Sequence, residues 1–220
     1  MNTLAKHLTV LGIASFFMGT PAVAAPFLSI DFGASTAQSG FIGQSSASDD
    51  YITSEGTVTV TTDSGRFTRN ASTGAGADLR ADFTFRNNAP EGVLLTLSGA
   101  GIQASTEYEI RLWSFDGKNG GKGHDQSFAG ESGTTGSAGP VRHPDNTVDL
   151  NDINAFSTLA TFTSDGSGNL NIRVVDSIVS GSNSPEPRLN GFTISVVPEP
   201  SSLALLGLGG LLIGIRRRRG

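Results

Sequence analysis

Apolar and polar residues alternate with a period of two through most of the middle of the chain. Phe27-Leu28-Ser29-Ile30-Asp31-Phe32 opens the pattern. Thr57-Val58-Thr59-Val60-Thr61-Thr62 repeats it, and Asp63-Ser64-Gly65 predicts a turn back into Arg66-Phe67-Thr68. Leu79, Ala81, Phe83 and Phe85 interleave with Arg80, Asp82, Thr84 and Arg86, which predicts a strand with one dry and one wet face. Residues 93–97 follow, and then Tyr108, Ile110 and Leu112 alternate with Glu109, Arg111 and Trp113. Residues 159–163 and 169–175 flank Ser164-Asp165-Gly166-Ser167-Gly168, the pattern of a hairpin with a Gly-rich turn. Residues 191–197 close the series. Eight or nine short strands separated by turn signals predict an all-β domain, a β-sandwich of the jelly-roll kind. One helical turn fits residues 151–156, and no long helix or internal repeat is evident. Residues 38–53 and 117–146 are expected as loops, the second with six glycines between Gly117 and Gly133.

The two ends break this pattern. Lys6 and His7 precede an apolar run of 11 residues, 8–18; Gly19 and Pro21 interrupt it, and Ala22-Val23-Ala24 gives a small-x-small site. That order is the order of a secretory signal peptide. Cutting after Ala24 leaves Ala25 first and Pro26 second, whereas cutting after Ala25 would place Pro26 directly after the cut. A secretion translocon and a signal peptidase are therefore expected partners. At the other end, Pro198-Glu199-Pro200 precedes a 13-residue apolar run, 203–215, and then Arg216, Arg217, Arg218 and Arg219. A helix of that length spans roughly 20 Å against a hydrocarbon core of ~30 Å, so it would be a short transmembrane sorting helix and a weak anchor. The arginines would stay cytoplasmic. The expected organisation is a signal peptide over 1–24, a β-sandwich over 25–197 and a sorting segment over 198–220.

Those tail residues resemble the PEP-CTERM sorting signal, with Pro198, Glu199 and Pro200 matching its motif position by position. The resemblance implies an exosortase partner, a Gram-negative cell that makes exopolysaccharide, and a route from transient inner-membrane anchoring to the outer surface or extracellular matrix.

Charge narrows the ligands. The whole chain has 15 basic and 20 acidic residues, and residues 25–197 carry ten against 19, or about −9. Such a surface repels phosphate backbones, which argues against nucleic acid, and favours divalent cations. The chain has no cysteine, which excludes disulfides, thiol catalysis and thiolate metal sites.

The phrase from Thr106 through Tyr108, Arg111 and Trp113 to Asp116, with its run-in at 97–102 and the closing Leu189-Asn190-Gly191-Phe192, resembles galactose-binding-like and malectin-like jelly rolls. Trp113, Asp116, Asn119, His124 and Asp125, with Lys118 and Lys122 between them, form the richest cluster. An exposed aromatic can stack on a sugar face while Asp and Asn bind its hydroxyls. Asp116, Asn119 and Asp125 also offer oxygen ligands to calcium, and Asp145, Asn146, Asp149, Asn151, Asp152 and Asn154 form a second oxygen-rich stretch. The bland alternative is a buried Trp113 above a solvated loop of turn-forming residues. The chain shows no Gly-x-Ser-x-Gly elbow, phosphate-binding loop or His-Glu-x-x-His site. The expected function is thus non-enzymatic: an exported structural or adhesive protein of a biofilm-type exopolysaccharide matrix. A carbohydrate-binding module with a defined pocket is the alternative, and a glycan-active enzyme a third.

Overall fold

The computed structural model describes residues 24–33, 37–68, 76–86, 89–115, 123–143, 150–180 and 184–198. They form strands β1 (Leu28–Asp31), β2 (Ile42–Gly43), β3 (Ser48–Thr53), β4 (Gly56–Thr62) and β5 (Gly65–Thr68), a single helical turn α1 (Ala77–Ala81), and strands β6 (Asp82–Phe85), β7 (Val93–Ser98) and β8 (Glu107–Trp113). Then come β9 (Gly123–Gly130), β10 (Ser137–His143), β11 (Ser157–Thr163), β12 (Leu170–Ser180), β13 (Arg188–Leu189) and β14 (Gly191–Val196). The chain is mostly β, as its period-two pattern predicts. One sheet runs β11-β8-β14-β1-β2, a second β10-β9-β12-β7-β4-β3, and a small third β13-β6-β5.

Inward residues of the two large sheets meet in one buried cluster. Leu28, Ile30, Ile110 and Phe192 come from the first sheet, and Val60, Leu95, Phe128 and Ile172 from the second. This is face-to-face packing of two sheets, each offering every second residue to a shared core.

Strand pairing gives the sandwich two distinct ends. At one end Leu28 faces Ile194, Val196 faces Tyr108, and Thr163 faces Glu107. The connections there are the turns at 54–55, 99–106, 131–136 and 164–169. At the other end Asp31, Gly191, Trp113 and Ser157 line up across four neighbouring strands. β1, β8, β10 and β12 end there, β9 and β11 begin there, and the third sheet sits beside those strand ends. We call these the root end and the loop end.

The structure corrects several sequence expectations. Asp63-Ser64-Gly65 does not fold β4 back onto β5. Asp63 is tied to Leu94 by both its backbone N–H and its carboxylate, at 3.2 and 2.8 Å, and the chain then leaves for the third sheet. Residues 164–168 do form a turn, held by Asp165 accepting from the Ser167 and Asn169 amides at 2.8 Å each. That turn joins β11 of the first sheet to β12 of the second and is not a hairpin. The expected strand over 79–86 begins with α1, where Leu79, Arg80 and Ala81 are consecutively buried; one helical turn is too short to betray a 3.6 period. The expected loop 38–53 contains β2 and β3, and the expected loop 117–146 contains β9 and β10, paired from Ala129 with Ser137 to His124 with His143. Polar side chains on these strands hid them from a hydrophobicity reading.

Among the described residues no helix is long and apolar enough to cross a membrane. The expected signal peptide over 1–24, apart from Ala24, and the sorting helix over 203–215 lie outside them.

Candidate functional site

The inward face of the second sheet is apolar near the root end and becomes polar toward the loop end. Along β12 the inward series runs Leu170, Ile172, Val174 and then Asp176; along β9 it runs Phe128, Gln126 and His124. The strand period continues unbroken through this change, so polar side chains enter the interior by register alone. They must then satisfy one another.

They do so in a connected network. Asp176 accepts from Gln126 Nε2 at 2.7 Å and from the Glu186 amide at 2.6 Å, and its Oδ2 lies 2.5 Å from His124 Nδ1. Gln126 Oε1 accepts from the Arg188 amide at 3.1 Å. The Arg188 guanidinium donates to the Glu186 carboxylate at 2.6 Å and to its carbonyl at 3.1 Å. The Arg188 carbonyl accepts from Ser114 Oγ at 3.0 Å, which carries the network into the first sheet. Asn190 completes the junction: its Oδ1 accepts from the Phe115 amide at 2.6 Å, and its Nδ2 donates to the Asp82 carbonyl at 2.8 Å. One asparagine thus ties the end of β8 to the start of β6.

A second group lies on the outer side of β1. Asp31 and Asp82 are both buried, and each keeps one carboxylate oxygen without a hydrogen-bond partner. The other Asp31 oxygen accepts from the Gln38 amide at 2.8 Å. Burial pushes the Asp31 pKa up to about 6; the Gln38 bond opposes the shift, and the Asp82 and Asp78 carboxylates add to it. Gly33 leaves room for Asp82, because a Cβ there would fall 2.4 Å from Asp82 Oδ2.

The sequence-predicted residues fall as follows. Trp113 is only 3% exposed, its indole N–H donates to the Ile153 carbonyl at 2.8 Å, and Phe41 meets its ring edge-on at 5.5 Å. It is a core cover and presents no face for a sugar, which corrects the stacking platform. His124 is fully buried on β9 rather than in a loop. Asp125 points the other way and forms a two-pronged ion pair with Arg142 across the β9–β10 ladder, at 2.8 Å for each contact. Adjacent strand positions face opposite sides, so His124 and Asp125 cannot share a site. Asp116, Asn119, Lys118, Lys122, Asp145, Asn146 and Asp149 lie outside the described residues, as do Ala22, Glu199, Pro200 and Arg216 to Arg219. Of the proposed calcium ligands Asp116, Asn119 and Asp125, only Asp125 is described, and both its oxygens are engaged by Arg142. Among the described residues no group of three His, Asp or Glu side chains is placed to hold a metal ion.

Sequence reasoning missed Gln126, Asp176, Arg188 and the paired burial of Asp31 and Asp82. The available signal was positional: each polar residue occupies an in-register place in a strand, where an apolar residue or a solvent-facing one was expected.

No curated protein and no solved structure matches the chain, so the likeness to galactose-binding-like and malectin-like jelly rolls gains no solved relative. Ala24 and Ala25 precede β1 without regular secondary structure, and Pro198 follows β14 by two residues. Residues 196–219, which start on the last residue of β14, match the family model for the PEP-CTERM protein-sorting motif: the chain carries the signal of an exported protein that an exosortase processes in a membrane-held step on the way to the cell surface.

Proposed function

We propose that the sorted domain is a non-enzymatic structural or adhesive protein of the exopolysaccharide matrix, released at the surface after a signal peptidase cuts at Ala24 and an exosortase acts near Pro198-Glu199-Pro200. The observation that carries this reading is the match of residues 196–219 to the sorting motif, which supports export to the cell surface, where such a matrix would lie. The internal use of Trp113, His124 and Asp125 supports it, because three of the five side chains expected at a sugar pocket are spent on packing, hydrogen bonding and an ion pair. The all-β architecture, in which β1 pairs with the distant β14, supports a jelly-roll reading of the strand order.

The test is retention. Exported chain should remain with isolated exopolysaccharide in the parent host and wash into the medium from a polysaccharide-deficient host. Equal retention in both hosts would sink the matrix role. The second reading, a carbohydrate-binding module, is favoured by the end of β8 and the start of β9 both lying at the loop end, since Asp116 and Asn119 fall between these strands in the sequence. A glycan array separates the two: selective binding to one glycan, lost in Asp116→Ala with Asn119→Ala, supports the module.

A further inference from the structure

Leu28 and Ile194 face each other across β1 and β14, and the Phe27 amide donates to the Ile194 carbonyl at 3.0 Å. Ala24 lies four residues before this pair and Pro198 four residues after it. At about 3.3 Å per residue, each is within roughly 13 Å of the same point. The two processing sites therefore emerge from one end of the sandwich. The Val197 amide is still bonded to the Glu107 carbonyl, at 3.1 Å. Only residues 198–202 then separate the fold from the apolar run at 203, and two of them are prolines. Five residues reach about 17 Å at full extension, and proline stiffens the stretch.

We infer that the root end is the face this domain turns toward the lipid surface while the tail holds it, so that the loop end points away from the cell. This rests on reading the tail as a membrane anchor. Two further observations fit a lipid-facing root end. Ile52 sits beside the β3–β4 turn with 93% of its surface exposed, an apolar side chain that a bilayer interface would cover. A cavity of about 520 Å³ opens beside Pro198, lined by Gln103, Thr106 and Glu107, and leaves space at the segment that the membrane enzyme must grip. The root-end connections are short turns, so little protein stands between the sandwich and the membrane.

The lack of native cysteine allows a direct test. Full-length chain carrying Gly166→Cys or Ser54→Cys at the root end, or Asp152→Cys at the loop end, is accumulated in an exosortase-deleted host. Each variant is labelled with a fluorophore and reconstituted into phosphatidylcholine–phosphatidylglycerol vesicles containing a headgroup-nitroxide lipid. Gly166 has open space around it in the turn that joins the two sheets, and Ser54 lies in the β3–β4 turn at the edge of the second sheet, so the pair samples two separate places on this end. Labels at 166 and 54 should lose most of their fluorescence, and the label at 152 should keep it. Equal quenching at all three positions, or stronger quenching at 152, overturns the orientation. Quenching at only one of 54 and 166 also overturns it, because the domain would then lie on its side with one edge to the membrane. A chain that never enters the membrane fraction overturns the anchor reading itself, and the orientation with it.

Discussion

His124 Nδ1 and Asp176 Oδ2 lie 2.5 Å apart on neighbouring strands, with neither side chain reaching solvent. The carboxylate also receives Gln126 and the Glu186 amide, so it organises the polar interior between β9, β12 and the segment leading to β13. Its burial makes it a cross-link within the domain rather than a group presented to a ligand.

Removing that hub should be costly. Asp176→Ala removes the shared partner of His124, Gln126 and the Glu186 amide, and an unsatisfied buried donor costs about 1–3 kcal/mol, more for charged groups. Urea unfolding of the exported chain should show the midpoint falling by several kcal/mol equivalent, with a smaller fall for Asp176→Asn. A near-parental midpoint for Asp176→Ala would show that water replaces the carboxylate.

Asp31 makes stability depend on pH. Its folded pKa of about 6 lies above the usual 3.8, so between roughly pH 4 and 6 the folded chain holds a proton that the unfolded chain releases. Stability is fully present below that window and falls as pH rises through it, by on the order of 2–3 kcal/mol by pH 7. Asp31→Asn should therefore match the parent near pH 4 and exceed it at pH 7.5. Parallel pH profiles for the two chains would remove Asp31 as the source.

Trp113→Ala should lower stability by the ~3–5 kcal/mol typical of a buried tryptophan truncation. Trp113→Phe should lose less, chiefly the bond to the Ile153 carbonyl. Folded Trp113→Phe should keep whatever polysaccharide retention the parent has. A selective loss of retention at unchanged thermal stability would restore the tryptophan as a contact residue.

Gly191→Ala probes the seam between β1 and β14. A Cβ there would sit 2.4 Å from the Ile30 carbonyl oxygen and 2.7 Å from Leu79 Cδ1. Overpacking of this kind costs about 1–3 kcal/mol, and the loss should appear as earlier amide exchange in β1 than in β12. Uniform exchange across both strands would refute a local effect.

Deleting the exosortase should leave a larger, membrane-retained species, and N-terminal sequencing of either species should begin at Ala25. Alanine in place of Pro198, Glu199 and Pro200 should reproduce the deletion. Unchanged mass and location in both cases would contradict processing at this motif.

The sequence by itself determined the strands in which apolar and polar residues alternate, and the sorting motif of the tail. Alternation in 108–112 and 191–196 follows from a pleat that sends successive side chains to opposite faces, and the tail is legible because Pro-Glu-Pro, a short apolar run and four arginines are contiguous. What only the tertiary structure decided is partnership. The turns at 63–65 and 164–168 are encoded locally, yet the strands on either side of each join different sheets, because pairing is set by residues such as Leu94 and Leu97 far along the chain. The same distance hid the polar interior. His124, Gln126 and Asp176 become acceptable inside only when they meet one another and the segment carrying Glu186 and Arg188, and Gln126 lies 50 residues from Asp176 and 62 from Arg188, beyond any local window.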